Sequence, residues 1–464
     1  MAVPHHIFRE YDIRGVADRD LDGALVRRIA AELVEMLSTG RSDDARSRIA
    51  LGRDGRLSSP RLHEAFVAGL VSAGADVVDI GVGPTPLLYF AAHHLGTDGA
   101  VQITGSHNPA EDNGFKVMRG RGSFFGDDIR ELRRRILESA APSPRDGGSI
   151  TEVDVSSAYI EAVRTASRLP ADVALPRVVV DAGNGAAGPL GVRTLRALGF
   201  EVEELYCDID GRFPNHHPDP TLVENLADLI ARVRTTGAPV GIAWDGDGDR
   251  LGAIDERGGV LWGDSLMILF SRALLAERPG ATILGEVKCS ETLFHDVRAR
   301  GGVASYSKTG HSLIKTRMKA EGALLAGEMS GHIFFGDRYF GYDDAIYAAV
   351  RLLEIVCARA GSPLSAALHD VPKTFVTPEL RATCPDEKKA AVVAHVLEHY
   401  RARHPVLDLD GARVDFGDGA WGLCRASNTQ PVLVLRFEAK SQARLDEIRA
   451  DMERVVEEAS SALS

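Results

Sequence analysis

Cysteine is scarce in this 464-residue chain, and the five that occur (Cys207, Cys289, Cys357, Cys384, Cys424) are scattered and odd in number. That pattern excludes both a disulfide scaffold and a zinc framework, and it leaves each thiol as a small core hydrophobe in a reducing compartment. No apolar run approaches the roughly 18 residues a membrane span needs. The opening segment, MAVPHHIFREYDIRG, carries charges where a signal peptide would be apolar. The expectation is a cytoplasmic protein with no membrane partner. A basic excess is also missing: 54 Lys+Arg stand against 66 Asp+Glu, a net charge of −12. This argues against a nucleic-acid partner held through phosphates. It leaves room for a small anionic ligand, because a few cations in one cleft dominate the local field.

What is present is ordinary globular composition, 44% hydrophobic and 26% charged, which excludes a disordered chain. At roughly 150 residues per domain, the length suggests about three or four domains. Residues 48–54 read as a buried strand. A helix follows, with Ser59 as N-cap, Pro60 at the first helical position and Gly74 as stop. Strand and helix signals then alternate, predicting α/β layers. The pattern restarts after the Pro-, Gly- and Ser-rich stretch 141–149, and again near Gly258. From Pro372 the texture changes to a helix, several alternating strands and a charged final helix, which reads as an α+β unit. The first three units share a habit in which an apolar strand ends in a polar loop: VQIT–GSHNP, GIAW–DGDGDR and LLA–GEMSGH. Ligands gather at such strand ends in open α/β sheets.

The stretch DGDGDR (245–250) is the most informative. Asp245, Asp247 and Asp249 alternate with glycines after an apolar strand. Carboxylates brought that close repel unless a cation neutralises them, so a hard divalent ion is the natural partner. Three protein oxygens leave open positions for a phosphate, which fits Mg²⁺ at a phosphoryl-transfer site, with Arg250 beside it. An EF-hand would also use Asp245, Asp247, Asp249 and Glu256, but it requires Gly where Arg250 stands.

The other loops are less specific. Ser106, in TGSHNP, is either a nucleophile or phosphate carrier on a sharp turn, or simply a turn former. His107 holds the loop or an anion. Lys116 lies on a strand-like segment returning past the loop. Glu328, Ser330 and His332 alternate in GEMSGH, so an extended backbone points all three to one side. They suit sugar hydroxyls, or equally a polar turn between core strands. His311, in KTGHS, is a candidate acid or base near neutrality, and Lys288 follows a strand. Arg425 opens RASNTQP, which is either a phosphate cradle or a solvated hairpin loop. Arg14, Arg53 and Arg56 are further anion contacts, although a salt-bridged turn explains RDGR as well. DAGNGAAG (181–188) lacks a Walker lysine and reads as a tight strand-to-helix turn.

FREYDIRG, TGSHNP, DGDGDR, KTGHS, GEMSGH and RASNTQP, in this order and spacing, resemble the α-D-phosphohexomutase superfamily over nearly the whole chain. GEMSGH and RASNTQP look like its bacterial phosphomannomutase/phosphoglucomutase branch. The resemblance implies three related mixed-sheet α/β domains (1–155, 156–258, 259–371) and a C-terminal α+β domain (372–464) around a central cleft. It implies a phosphoserine at Ser106, and Mg²⁺ held by Asp245, Asp247, Asp249 and the Ser106 phosphate. Arg250 and Lys116 would stabilise the transferring phosphoryl group, with Lys116 and His311 the candidates for proton transfer. Lys288, Glu328, Met329, Ser330, Gly331 and His332 would contact the sugar. Arg425, Ala426, Ser427, Asn428 and Thr429 would grip the non-reacting phosphate, and Tyr11, Arg14 and His107 would line the cleft. The implied reaction interconverts hexose 1- and 6-phosphates of mannose or glucose through a hexose 1,6-bisphosphate, in a monomer. Competing readings are a phosphoglucosamine mutase, a metal-dependent sugar phosphatase using Ser106, and a non-catalytic sugar-phosphate sensor.

Overall fold

The computed structural model describes residues 3–39, 46–170, 173–427 and 430–462. Its strands form four sheets in chain order. The first runs Ile13–Val16, Asp112–Arg119, Gly99–Ile103, Arg48–Arg53, Asp76–Val82, Ser149–Glu152, with Gly122–Ser123 at the side of Asp112–Arg119. The second runs Val260–Leu261, Leu251–Asp255, Val240–Trp244, Arg177–Asp181, Glu201–Leu205. The third runs Val303–Ser307, Thr282–Glu286, Leu325–Gly327, Ile333–Phe335.

One device recurs in all three. Gly99–Ile103 pairs in parallel with Arg48–Arg53 and antiparallel with its own return strand, Asp112–Arg119. Val240–Trp244 does the same between Arg177–Asp181 and Leu251–Asp255. So does Leu325–Gly327 between Thr282–Glu286 and Ile333–Phe335. The three polar loops are the connections of these three antiparallel pairs. The strands that carry them are buried along their whole length, as expected where both sheet faces are covered. Each loop therefore springs from a fixed base.

The fourth sheet is entirely antiparallel: Phe375–Val376, Val432–Ala439, Ala420–Ala426, Ala412–Gly417, Val406–Leu407, with Leu380–Thr383 also on Val432–Ala439. Helices Asp386–Arg401 and Gln442–Ala462 pack on it through Val392, Val396, Tyr400, Ile448, Met452 and Val455, which form a core of their own. Three mixed α/β sheets and an α+β unit are thus the architecture expected. The second and third sheets share one apolar core with helix Thr85–Leu95 of the first unit. In it the Trp244 indole donates to the Ala345 carbonyl at 3.1 Å.

Several local expectations change. Helix Ser59–Ser72 is preceded by Ser58, and the Ser59 hydroxyl turns back to Asp54 at 2.6 Å instead of capping. The expected break at 258 falls inside a hairpin, because Val260–Leu261 pairs with Leu251–Asp255 and carries the second sheet to Leu261. Strands Val303–Ser307 and Ile333–Phe335 had no distinct signal; the first is partly polar and the second only three residues long. All five cysteines are buried free thiols. No helix among the described residues is long and apolar enough to cross a membrane.

Candidate active site

A cleft of about 1400 Å³ lies between the four units, and each contributes side chains to it. Ser106 stands at its floor, 2% exposed, with a φ of +51°. A non-glycine residue in that region persists only when its surroundings over-determine it. They do so here. The Thr104 hydroxyl accepts from the Ser106 amide at 2.8 Å. The Arg56 guanidinium, 1% exposed, donates to the carbonyls of Ser106 (2.7 Å), Asn108 (2.6 Å), Asp112 (2.9 Å) and Pro109. Asp54 backs it at 3.2 Å. RDGR is thus the salt-bridged turn of the two sequence readings, and it also clamps the serine loop. Arg14 donates to the Gly105 carbonyl and the Asn108 side chain, both at 3.1 Å, and pairs with Asp12 at 2.6 Å.

The Ser106 hydroxyl donates to Asp245 Oδ2 at 2.8 Å and lies 3.2 Å from His107 Nδ1. Residues 139 positions apart meet because Gly246 lets the two loops touch: a Cβ there would stand 2.3 Å from the Ser106 carbonyl oxygen. Asp245 Oδ1 accepts the amides of Asp249 (3.0 Å) and Arg250 (3.1 Å), which curls the acidic loop on itself. Lys116 donates to Asp247 at 2.7 Å and to Asp249, and the Thr85 hydroxyl also donates to Asp247.

Asp245, Asp247 and Asp249 are fully buried, with one oxygen of each within 4.8 Å of the others. Asp247 Oδ1 and Asp249 Oδ1 have no hydrogen-bond partner. Burial and the charges of Asp247 and Asp249 hold Asp245 far above the usual carboxylate range. Burial would raise Asp247 too, but Lys116 drives it below that range. Burial opposes the Lys116 charge, yet Asp247 and Asp249 keep its ammonium above lysine's ordinary value. Three buried carboxylates and two orphaned oxygens face one ammonium, so the donor set fits a hard divalent cation. The EF-hand alternative fails, since strands flank the loop and Glu256 turns away to Ser365.

Arg250 Nε donates to His332 Nε2 at 3.1 Å, and His332 Nδ1 lies 3.0 Å from Asp343. The His311 ring stacks on His332 with centroids 5.7 Å apart, its Nδ1 3.7 Å from the same Asp343 oxygen. Burial, reinforced by Lys315, pushes His311 well below histidine's ordinary value. Burial, with Arg250 and Arg14, does the same to His107. Glu328, Ser330 and His332 all face the cleft, as does Met329. Glu328 accepts from the Gly310 amide and the Ser330 hydroxyl, both at 2.9 Å.

Lys288 and Arg425 approach from the third and fourth units, together with Arg381 and Arg436. Lys288 pairs with Glu379 at 3.1 Å, and its charge drives that carboxyl down to about 2. Arg425 Nε donates to Asp410 at 3.0 Å. Ser427 also lines the cleft, and its carbonyl is anchored by Lys389 at 2.6 Å. Tyr11 lines it as well, its hydroxyl donating to the Thr309 carbonyl at 2.7 Å.

Two expected contacts are not in the wall. Gly331 uses its carbonyl to accept from the Leu251 amide at 3.0 Å, and Ala426 packs on the core of the fourth unit. Asn428 and Thr429 lie outside the described residues. Sequence reasoning missed Glu286, Asp343, Arg381 and Arg436. Glu286 had a usable signal, a strand-end carboxylate two residues from Lys288; the others are single charges with no motif around them.

Comparison with known proteins places these features in context. Models of phosphoglucomutase/phosphomannomutase match the chain in succession: alpha/beta/alpha domain I over residues 5–142, domain II over 157–259, domain III over 262–375 and the C-terminal domain over 379–455. A phosphomannomutase/phosphoglucomutase of Pseudomonas putida is 43% identical over 97% of this chain and 95% of its own. A phosphoglucomutase of Neisseria gonorrhoeae is 42% identical over 98% of both. The crystal structure of a phosphoglucomutase/phosphomannomutase family protein from Burkholderia thailandensis superimposes with a TM-score of 0.89 at 41% identity, covering 99% of this chain and 98% of that one.

Proposed function

Because the chain belongs to the phosphoglucomutase/phosphomannomutase family, we propose that Ser106 carries the phosphoryl group the enzyme exchanges with its sugar. The protein is a phosphohexomutase, interconverting hexose 1-phosphate and hexose 6-phosphate of mannose or glucose. The reading places the enzyme in the cytoplasm as a monomer, with a fourth domain spanning 372–464.

The substrate's existing phosphate is gripped by Arg425, Ser427 and Lys288, on the third and fourth units of the cleft wall, while Glu328 and Ser330 read ring hydroxyls. That fixes the free hydroxyl near phospho-Ser106, where positioning supplies much of the rate. The sugar oxygen forms a bond to phosphorus as the bond from phosphorus to Ser106 Oγ breaks. His311 takes the hydroxyl proton and gives it back to the sugar oxygen released in the second transfer, while Lys116 and Arg250 offset charge on the phosphoryl oxygens and on the departing Ser106 Oγ. Asp245, Asp247 and Asp249, with the Ser106 phosphate, would hold Mg²⁺, which supplies further positive charge at the phosphoryl oxygens. The bisphosphorylated sugar then reverses end for end, and the same residues return its other phosphate to Ser106. A grip that reads charge more than ring shape accepts both orientations.

The observation that carries this reading is the Ser106 hydroxyl, 2.8 Å from Asp245 in a strained turn that opens on the same cleft as Arg425. Ser106→Ala tests it. The variant is expected to lose turnover by at least about 10³-fold, while titration calorimetry still detects hexose phosphate binding. Normal mutase activity in that variant contradicts the assignment.

A further inference from the structure

Asp410 lies behind the cleft wall, on the turn before strand Ala412–Gly417. Its Oδ2 atom accepts two hydrogen bonds, both at 3.0 Å: one from Arg425 Nε and one from the Thr309 amide, 101 residues earlier in the chain. Gly411 makes the approach to Arg425 feasible, because its φ is +94° and a Cβ there would stand 2.7 Å from the Arg425 Cβ. Thr309 is itself a junction. Its carbonyl accepts from Tyr11, its hydroxyl donates to Glu286 at 2.7 Å, and the next amide, Gly310, donates to Glu328. His311 follows directly. One carboxylate oxygen therefore joins the arginine of the phosphate grip to the loop that seats both the proton acceptor and the sugar-reading carboxylate.

Resting on the phosphohexomutase reading, we infer that Asp410 is a positioning residue that couples engagement of the distal phosphate by Arg425 to the placement of His311 and Glu328. Free of phosphate, Arg425 is held at its Nε by Asp410, which leaves the terminal nitrogens as its remaining donors. A phosphate drawn to those nitrogens pulls on the same carboxylate that fixes Thr309. An enzyme whose intermediate must reverse without escaping needs its two ends linked in this way.

The test is Asp410→Asn, which keeps an acceptor oxygen and removes the charge, alongside Arg425→Lys and the double variant. Asp410→Asn is expected to raise KM for hexose 1-phosphate and for hexose 6-phosphate by about tenfold, and to make activity depend on added hexose 1,6-bisphosphate because the intermediate escapes more often. Asp410→Glu should recover part of the loss. The double variant should cost no more than the worse single one, since the residues act as a unit. Wild-type kinetics in Asp410→Asn, or additive losses in the double variant, would overturn the coupling. Melting of both Asp410 variants far below the wild type would also overturn it, by making the residue a structural one. Absence of mutase activity in the wild type would instead fell the functional reading beneath it.

Discussion

Ser106 and Arg425 face the same cleft but are held in different ways. The Ser106 turn is pinned through its backbone, with four carbonyls accepting from Arg56 and an amide donating to Thr104. Arg425 and Lys288 are oriented through their charged ends, by Asp410 and Glu379. On the proposed reading, in which Ser106 donates the phosphoryl group and Arg425 and Lys288 grip the other phosphate, the difference matches two tasks. A phosphoryl donor must hold an atom to fractions of an ångström. A grip that meets either end of a bisphosphorylated sugar needs charge and donors more than a single fixed shape. Damage to the first wall should therefore appear in kcat, and damage to the second in KM.

The largest effect expected, after loss of Ser106 itself, is that of metal removal. Chelation should lower activity by about 10³-fold or more, with recovery on adding Mg²⁺; full activity in excess chelator would remove the acidic trio from the account. Next, Arg56→Lys replaces a planar fork with a point charge that cannot serve four carbonyls. It should lower kcat by about 10²-fold and leave KM nearly unchanged, so a KM effect alone would blur the distinction between the walls. Lys288→Met should do the reverse, raising KM by roughly tenfold with little change in kcat.

The smallest effect concerns the seam between the third and fourth units. Glu438, fully buried, accepts from the Ser290 hydroxyl at 2.9 Å, and burial together with Asp264 pushes its carboxyl up to about 7. The folded state binds this proton more tightly than the unfolded one. Stability is therefore lost as pH rises from the ordinary carboxylate range through 7. Glu438→Gln should raise Tm at pH 8 by roughly 2 °C and have no such effect near pH 4.5; equal shifts at both pH values would discount the buried charge.

The loops were legible in the sequence because Gly, Pro and Asp punctuate them and apolar strands lead into them. Glu328, Ser330 and His332 do face one cleft, but a tight turn closed by the Gly331 amide on the Glu328 carbonyl brings them there, with Met329 among them, and not the extended backbone expected. The supports of those loops were not legible. Arg56 reaches carbonyls some 50 residues away, and Asp410 reaches an amide 101 residues away. A lone charge in a turn shows nothing of its partner until the fold closes. Gly331 and Ala426 lie outside the cleft wall for the opposite reason. They sit inside informative motifs, but one uses its backbone to join the second and third units and the other faces a core.

The central claim is that one hydroxyl alternates between phosphorylated and free as the sugar turns over. Intact-mass and peptide mass spectrometry of the purified protein, before and after incubation with ¹⁸O-phosphate-labelled hexose 6-phosphate, reads this directly. The account predicts a single phosphate on the peptide containing Ser106, exchanged for the labelled one during turnover. A mutase-active protein whose Ser106 peptide never carries phosphate, or carries one that does not exchange, would contradict it.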